Sequence, residues 1–421
     1  MPGHKGNGPL GFEKLDITEF DGADSLFSAN GIIKESEENA RKLFNTGATL
    51  YSCEGSSLSI RAMLYLAMIN KADNQGNYVI ATRNSHSAFI TASALLGFDI
   101  MWLSTGKHLS CKITALDIEK ALSSVDKMPF AVYVTSPDYL GNMLNIEEIS
   151  KVCKKYSVPL LVDNAHGAYL RFLENDIHPI SLGADMCCDS AHKTLPALTG
   201  GAYLHIAKKE DNYISLAKNA MRLFASTSPS YLILSSLDLC NKYLDSEFKD
   251  ELKNAICLIK DLKNQLSFLG FLIEGDEELK ITISTKDYGY YGYEIAELLK
   301  NEGIFVEFYD SDYVVLMLSA QTSNIDVEKI KIALSSIERK DKIIDTPPLI
   351  SLPKKKYSIR EASLMQSEEI SVDLALGRAL ASSSVACPPA INVINAGEVF
   401  DKDIINACKY YGIDIVRVIK L

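Results

Sequence analysis

The 421-residue chain has no apolar stretch long enough to span a bilayer, and its start, MPGHKGNGPLGF, lacks the apolar segment of a secretory leader. It has no C-x-x-C and no His/Cys spacing of the metal-binding kind; its nine cysteines are scattered singles apart from the adjacent Cys187-Cys188. Reduced thiols, a cytoplasmic protein and no metal are the expectation. Positive charge is also short, with 43 Lys and Arg against 54 Asp and Glu and a net charge of -11. No long block of like charges is present, so neither a nucleic acid nor a membrane is expected as a partner, and small molecules are. Internal repeats and low-complexity tracts are absent.

What is present is alternation. Short apolar runs at 78–81, 98–103, 130–134, 159–162, 184–188 and 201–206 are separated by segments of helical period. Strand, helix, strand repetition of this kind predicts an α/β protein with a mostly parallel sheet flanked by helices. The length suits two domains. Residues 1–50, Gly-rich and then charged, read as an N-terminal arm. Residues 51–265 read as a major domain that ends in long bridging helices over 231–267. Residues 266–421 read as a smaller α+β C-terminal domain, interrupted by a polar, Pro-containing loop at 340–356.

Two polar residues stand at the ends of apolar runs. Asp163 closes LLVD at 160–163, and Lys193 follows the run at 184–188 in DSAHKT, thirty residues after Asp163. Open α/β sheets bind ligands at such strand ends. Taken singly, Lys193 is a surface lysine and Asp163 a cap or a solvated loop residue. Their company argues otherwise, because Ser190, His192 and Lys193 are packed together and His166 lies three residues beyond Asp163. A polar cluster at two strand ends is costly unless it is used. A lysine amine and a carboxylate in this placement suit pyridoxal 5'-phosphate. That cofactor needs an amine for its aldehyde, as a Schiff base, and a carboxylate that keeps its ring nitrogen protonated.

The same cofactor needs a phosphate cradle, and Glu54-Gly55-Ser56-Ser57 opens the helical run 58–69. Gly55 lets the backbone approach, while Ser56 and Ser57 offer hydroxyls and amides at the positive end of a helix; an ordinary Ser cap is the plainer alternative. His86, in RNSH, follows the run 78–81 and could stack on the ring and move protons, or be a structural hydrogen-bonding residue. His166 could reach the cofactor's phenolic oxygen, and His192 either the phosphate or the lysine it precedes.

The motifs PGHKG at 2–6, LDITE at 15–19, EGSS at 54–57, RNSH at 83–86, DNAHG at 163–167, DSAHKTLPALTGGA at 189–202 and TSPSY at 227–231 resemble the ornithine/lysine/arginine decarboxylase family in order and spacing. The resemblance covers nearly the whole chain. It implies an aspartate-aminotransferase-like fold (fold type I of pyridoxal-phosphate enzymes) and a homodimer with shared active sites. It also implies that Lys193 forms the Schiff base, Asp163 pairs the ring nitrogen, Ala165 lies beneath the ring, His86 stacks above it, and Ser56 and Ser57 hold the phosphate. Ser226 would reach the phosphate of the neighbouring subunit. A chain that starts at PGHKG resembles the short, wingless branch.

The match loosens at the C-terminus. Where the family has YPPGIP and then PGE, this chain has CPPAINVINAGE at 387–398, with Cys387 for Tyr, Ala390 for Gly, and Asn392 and Ala396 for prolines. Glu398 survives, as a carboxylate for a substrate's distal cation or as a cap of the helix that follows. Glu54, Ser87 and Asp138 also depart from the family pattern. The expected activity is α-decarboxylation of a basic amino acid, such as lysine, arginine or ornithine, to CO2 and an amine. Transamination or elimination on the same cofactor and a silent cofactor-binding relative are the alternatives.

Overall fold

The structure is a computed structural model that describes residues 2–103, 112–348, 350–387 and 391–420; residues 388–390 of the divergent C-terminal motif lie outside that set. In chain order the first elements are α1 (Ile32–Phe44), β1 (Ala48–Ser52), α2 (Gly55–Ile69), β2 (Tyr78–Thr82), α3 (Ser87–Leu96), β3 (Asp99–Leu103), α4 (Ala115–Ser123) and β4 (Ala131–Thr135). Then come α5 (Ile146–Lys155), β5 (Leu160–Asp163), β6 (Met186–Asp189), α6 (Ala191–Thr194), β7 (Ala202–Ile206), α7 (Asp211–Phe224), α8 (Tyr231–Leu244) and α9 (Phe248–Phe268). The remainder is β8 (Leu272–Glu274), β9 (Lys280–Ser284), α10 (Gly292–Asn301), β10 (Phe308–Tyr309), β11 (Tyr313–Met317), α11 (Asn324–Ser335), α12 (Ile359–Leu364), β12 (Ser367–Ser371), β13 (Ser384–Cys387), β14 (Ile391–Asn395), α13 (Lys402–Tyr410) and β15 (Ile415–Ile419). Each of the six apolar runs forms a strand. β1 joins them unannounced, because Thr49 and Ser52 in ATLYS weaken its apolar signal.

The chain divides into two compact units: Met1–Ile80, Thr114–Ser136 and Asn145–Asp250 form the first; Ala81–Ile113, Pro137–Leu144 and Glu251–Leu421 form the second. In the first unit neighbouring strands follow the order β1-β7-β6-β5-β4. β4, β5 and β6 are parallel, and β7 runs antiparallel to both β6 and β1, so the sheet is mostly parallel with one reversed strand. The strand residues of β5, β6 and β7 are all buried, as a sheet covered on both faces requires. The covering helices are amphipathic: α1 buries Ile33, Glu37, Ala40 and Phe44, one stripe of helical period. Phe44 meets Phe172 edge-on at 5.3 Å and lies 4.5 Å from the ring of His205, centroid to centroid.

Buried polar groups along α1 are satisfied by one another. Lys218 Nζ donates to Glu37 at 2.6 Å, the Tyr51 amide donates to the same carboxylate at 3.0 Å, and Asn241 Nδ2 donates to the Tyr51 hydroxyl at 2.6 Å. These bonds tie α1, β1, α7 and α8 together. Asp24 closes the start of α1 by accepting the amides of Gly31 and Ile33 at 2.9 and 3.0 Å.

The second unit contains a four-stranded antiparallel sheet in the order β10-β11-β9-β8 and two antiparallel pairs, β12 with β15 and β13 with β14. Val372, Leu380, Val393, Phe400, Ile404 and Val418 form part of one apolar cluster there. The described residues of 340–356 form no helix or strand, as the composition of the segment predicts.

Phe44→Ala removes a ring that is wholly buried. We expect a loss of about 3–5 kcal/mol of unfolding free energy, measured by urea titration followed by circular dichroism. A loss below about 1 kcal/mol would mean that the ring does not anchor α1.

Candidate active site

β5 and β6 are parallel neighbours, with Asp163 paired in register to Cys188, and each strand ends on an aspartate, Asp163 and Asp189. The site grows out of these two ends. After Asp163 the chain turns through Asn164-Ala165-His166-Gly167, closed by the Gly167 amide donating to Asn164 O at 2.8 Å. A Cβ at Gly167 would lie 2.1 Å from Asn164 Oδ1 and 2.7 Å from Leu170 Cδ1, so the turn requires glycine. After Asp189 the chain passes Ser190 and enters the short helix α6, which carries His192 and Lys193.

The turn and the helix meet. Lys193 Nζ and His166 Nε2 are 2.9 Å apart. Asp163, buried, accepts the Tyr133 hydroxyl on Oδ2 at 3.0 Å and the Ala165 amide on Oδ1 at 3.2 Å. Burial, and after it the charge of Asp163, pushes the Tyr133 hydroxyl well above its usual pKa, so it is a proton donor at any working pH.

The EGSS segment reaches the same place. Ser190 Oγ donates to Ser56 Oγ at 3.0 Å, so the first turn of α2 adjoins the segment leading to Lys193. Gly55 opens α2 at φ +68 with open space around its Cβ direction. It is therefore the backbone conformation, not crowding, that favours glycine here. Its amide donates to Gly200 O at 2.8 Å, and Ser57 follows in the same turn, where helical amides have no acceptor within the helix. Ser226 is exposed, and its amide donates to Glu54 Oε1 at 2.7 Å. His192 is held at its backbone, because its Nδ1 and its amide lie 3.0 and 3.2 Å from Gly201 O.

Behind this group lies a network with no counterpart in the sequence reading. The carboxylate of Asp189, wholly buried, takes His178 Nε2 at 3.0 Å and His205 Nε2 at 3.2 Å on Oδ2, and Asn164 Nδ2 at 2.7 Å on Oδ1. Burial raises its pKa, but the two facing imidazoles outweigh that and hold it below the ordinary carboxylate range. The two imidazole nitrogens and a carboxylate oxygen lie within 4.8 Å of one another, a spacing that metal ligands also adopt. However, His178 Nδ1 is buried without a hydrogen-bond partner, whereas a metal-bound histidine holds its other N–H on an acceptor. The arrangement fits a carboxylate receiving two imidazole N–H donors.

Two further residues that the sequence singles out belong to the second unit. His86 is exposed and caps α3, its Nδ1 accepting the Ala88 amide at 3.1 Å. Glu398 is buried, and both of its oxygens are held by Arg83, at 2.7 and 2.9 Å. Tyr133, Asn164, His178 and His205 are the partners that sequence reading does not find. Tyr133 is hidden inside an apolar run and the two histidines are isolated in sequence, so only the folded chain brings them to the aspartates, Tyr133 and His205 on strands and His178 in the segment before β6.

Solved structures identify the class. The constitutive lysine decarboxylase of E. coli superposes with a TM-score of 0.78 at 18% identity, over 100% of this chain and 79% of that one. A serine palmitoyltransferase structure described as "SPT with PLP" gives a TM-score of 0.57 at 15% identity over 72% and 75% of the two chains. The fold is thus that of the fold-type I pyridoxal-phosphate enzymes. Within that class the family model described as Orn/Lys/Arg decarboxylase, major domain, matches residues 11–272, and the chain belongs to this family of amino-acid decarboxylases. The protein YaaO of Bacillus subtilis is 30% identical over 96% of this chain and 88% of its own length. An arginine decarboxylase of Halalkalibacterium halodurans is 28% identical over 91% and 82%.

His205 and Asp189 generate a prediction for stability against pH. Burial lowers the His205 pKa below its ordinary 6.5, so the unfolded chain binds this proton first and stability is lost as pH falls below about 6.5. Asp189, also depressed, adds stability above its ordinary 3.8 that is lost as pH falls further. Urea midpoints between pH 7.5 and 5.5 should therefore decline, and the decline should be smaller in His205→Asn. An equal decline in that variant would remove His205 from the account.

Proposed function

We propose that this chain is a pyridoxal 5'-phosphate-dependent decarboxylase of a basic amino acid, working in the cytoplasm as a homodimer with shared active sites. The observation that supports it most is the convergence of four side chains in the first unit: Lys193 on His166 at 2.9 Å, and Ser190 on Ser56 at 3.0 Å. A lysine amine, a strand-end carboxylate and serine hydroxyls at a helix start are the donor set that the cofactor's aldehyde, ring nitrogen and phosphate require. Among the described residues no helix is long and apolar enough to cross a membrane, and Cys53, Cys153, Cys187, Cys188, Cys240, Cys257 and Cys408 are free thiols, as a reduced compartment would leave them.

The residues divide the work. Lys193 supplies the amine that holds the cofactor's aldehyde carbon. Its neighbour His166 takes or returns the proton on Nζ as the amine changes partners. Asp163 would keep a proton on the ring nitrogen, and the Tyr133 hydroxyl and the Ala165 amide hold its carboxylate in place. Gly55, Ser56, Ser57, Ser190 and His192 would hold the phosphate, and Ser226 would contribute to the neighbouring subunit's site. When bound, the cofactor supplies an electron sink for the pair left on Cα as CO2 departs. The remaining requirement is one proton at Cα in place of the carboxylate, and Lys193 or His86 delivers it.

Incubation of the purified protein with lysine, arginine and ornithine, following CO2, keto acid and ammonia together, tests the reading. CO2 with an equimolar amine is expected, whereas keto acid formed with an amino acceptor would replace decarboxylation by transamination. Lys193→Ala should abolish both turnover and the visible absorbance of bound cofactor. Asp163→Asn should lower kcat by about 10²-fold or more, the scale on which preorganised electrostatic groups act.

A further inference from the structure

The carboxylate of Glu398 is already spoken for. It meets Arg83 end-on, with Nη1 to Oε1 at 2.7 Å and Nη2 to Oε2 at 2.9 Å, and Oε2 also accepts the Asn395 amide at 2.7 Å. Both side chains are under a tenth exposed. Arg83 in turn donates Nε to Asn392 O at 2.8 Å and Nη2 to Val393 O at 2.9 Å, while its guanidinium carbon lies 5.1 Å from the centre of the Trp102 ring. A bidentate, desolvated pair of this kind is expensive to break, because separating it strands a charge away from water. A substrate ammonium or guanidinium would have to share a carboxylate that Arg83 already holds on both oxygens.

The same segment grips the turn that carries His86. The Asn392 amide donates to Arg83 O at 3.1 Å, and Asn392 Nδ2 donates to Ser85 O at 2.9 Å. Ser85 Oγ donates to Thr82 O at 2.5 Å. His86 follows directly as the cap of α3, whose Phe89 packs on Phe98 and on Trp102, the ring that also lies beneath Arg83. Asn392 stands where the family pattern places proline, which has neither of these two donors.

We propose that Arg83, Glu398 and Asn392 are positioning residues: they fix the turn 83–86 and thereby aim His86, and Glu398 does not read the distal cation of the substrate. Aiming His86 at the reaction rests on the decarboxylase reading above; the grip on the turn does not. Recognition of a basic side chain then falls to other groups.

Glu398→Gln keeps the shape and removes the charge, and Asn392→Ala removes only the second donor. Hydrogen exchange of the protein freed of cofactor is measured first. Amides 84–89 should exchange at least tenfold faster in both variants, with the exchange of β5 and β6 unchanged. In the loaded enzyme, kcat should fall about tenfold or more with KM within about twofold. The ratio of kcat/KM for arginine to that for its uncharged isostere citrulline should stay at the wild-type value. Unchanged exchange at 84–89 would overturn the grip, and collapse of the arginine-to-citrulline ratio in Glu398→Gln would return that residue to the substrate. If no amino acid is turned over by the wild type, the decarboxylase reading fails while the exchange result still decides the grip. Should Glu398→Gln not fold, Asn392→Ala and Arg83→Lys carry the same comparisons.

Discussion

A carboxylate shut away from water must be surrounded by donors, and Asp189 meets that demand in a way that organises the whole first unit. His178, His205 and Asn164 each come from a different stretch of chain, and all three are drawn to one group. Asn164 belongs to the turn after β5, so the bond it makes fixes the spacing between the two strand ends from which Asp163 and Lys193 emerge. His205 on β7 and the ring of Phe44 on α1 extend the same constraint outward. Loss of the Asn164 donor leaves Oδ1 without its hydrogen bond at 2.7 Å, and leaving a desolvated oxygen unsatisfied generally costs more than a hydrogen bond contributes.

From that anchor the chemistry is built on rigid elements. Asp163 is the last residue of a buried strand, and Lys193 sits on one helical turn that follows another. Ser56 lies in the first turn of a long helix whose start is fixed to Gly200 through the Gly55 amide. Groups placed this way need little rearrangement, which is the usual requirement for strong electrostatic assistance to a reaction. The second unit supplies a different kind of order, a pair of opposite charges that fixes a turn.

Much of this was legible in the sequence, for identifiable reasons. The six apolar runs became strands because strands buried on both faces are apolar throughout, and length with periodicity then separates them from helices. Lys193 and Asp163 stood out because polar residues at apolar strand ends are conspicuous, and the EGSS segment because it opens a helical run. β1 was missed since Thr49 and Ser52 blur the pattern. Tyr133 was missed since a buried tyrosine in an apolar run looks like core until the register shows which carboxylate it faces. The two histidines on Asp189 lie 11 residues before it and 16 after, and no local signal connects them. Glu398 was visible as a lone acid, but its partner Arg83 lies 315 residues away.

The pairing of Arg83 with Glu398 has a consequence for how such an enzyme can change. If Glu398 is committed to Arg83 as proposed, the brace is neutral overall and pulls on the end of an incoming amino acid far less than a lone carboxylate would. Substitutions elsewhere can then retune which side chain is accepted without loosening the turn before α3. Geometry and taste are separable in this chain, and one can drift while the other is held.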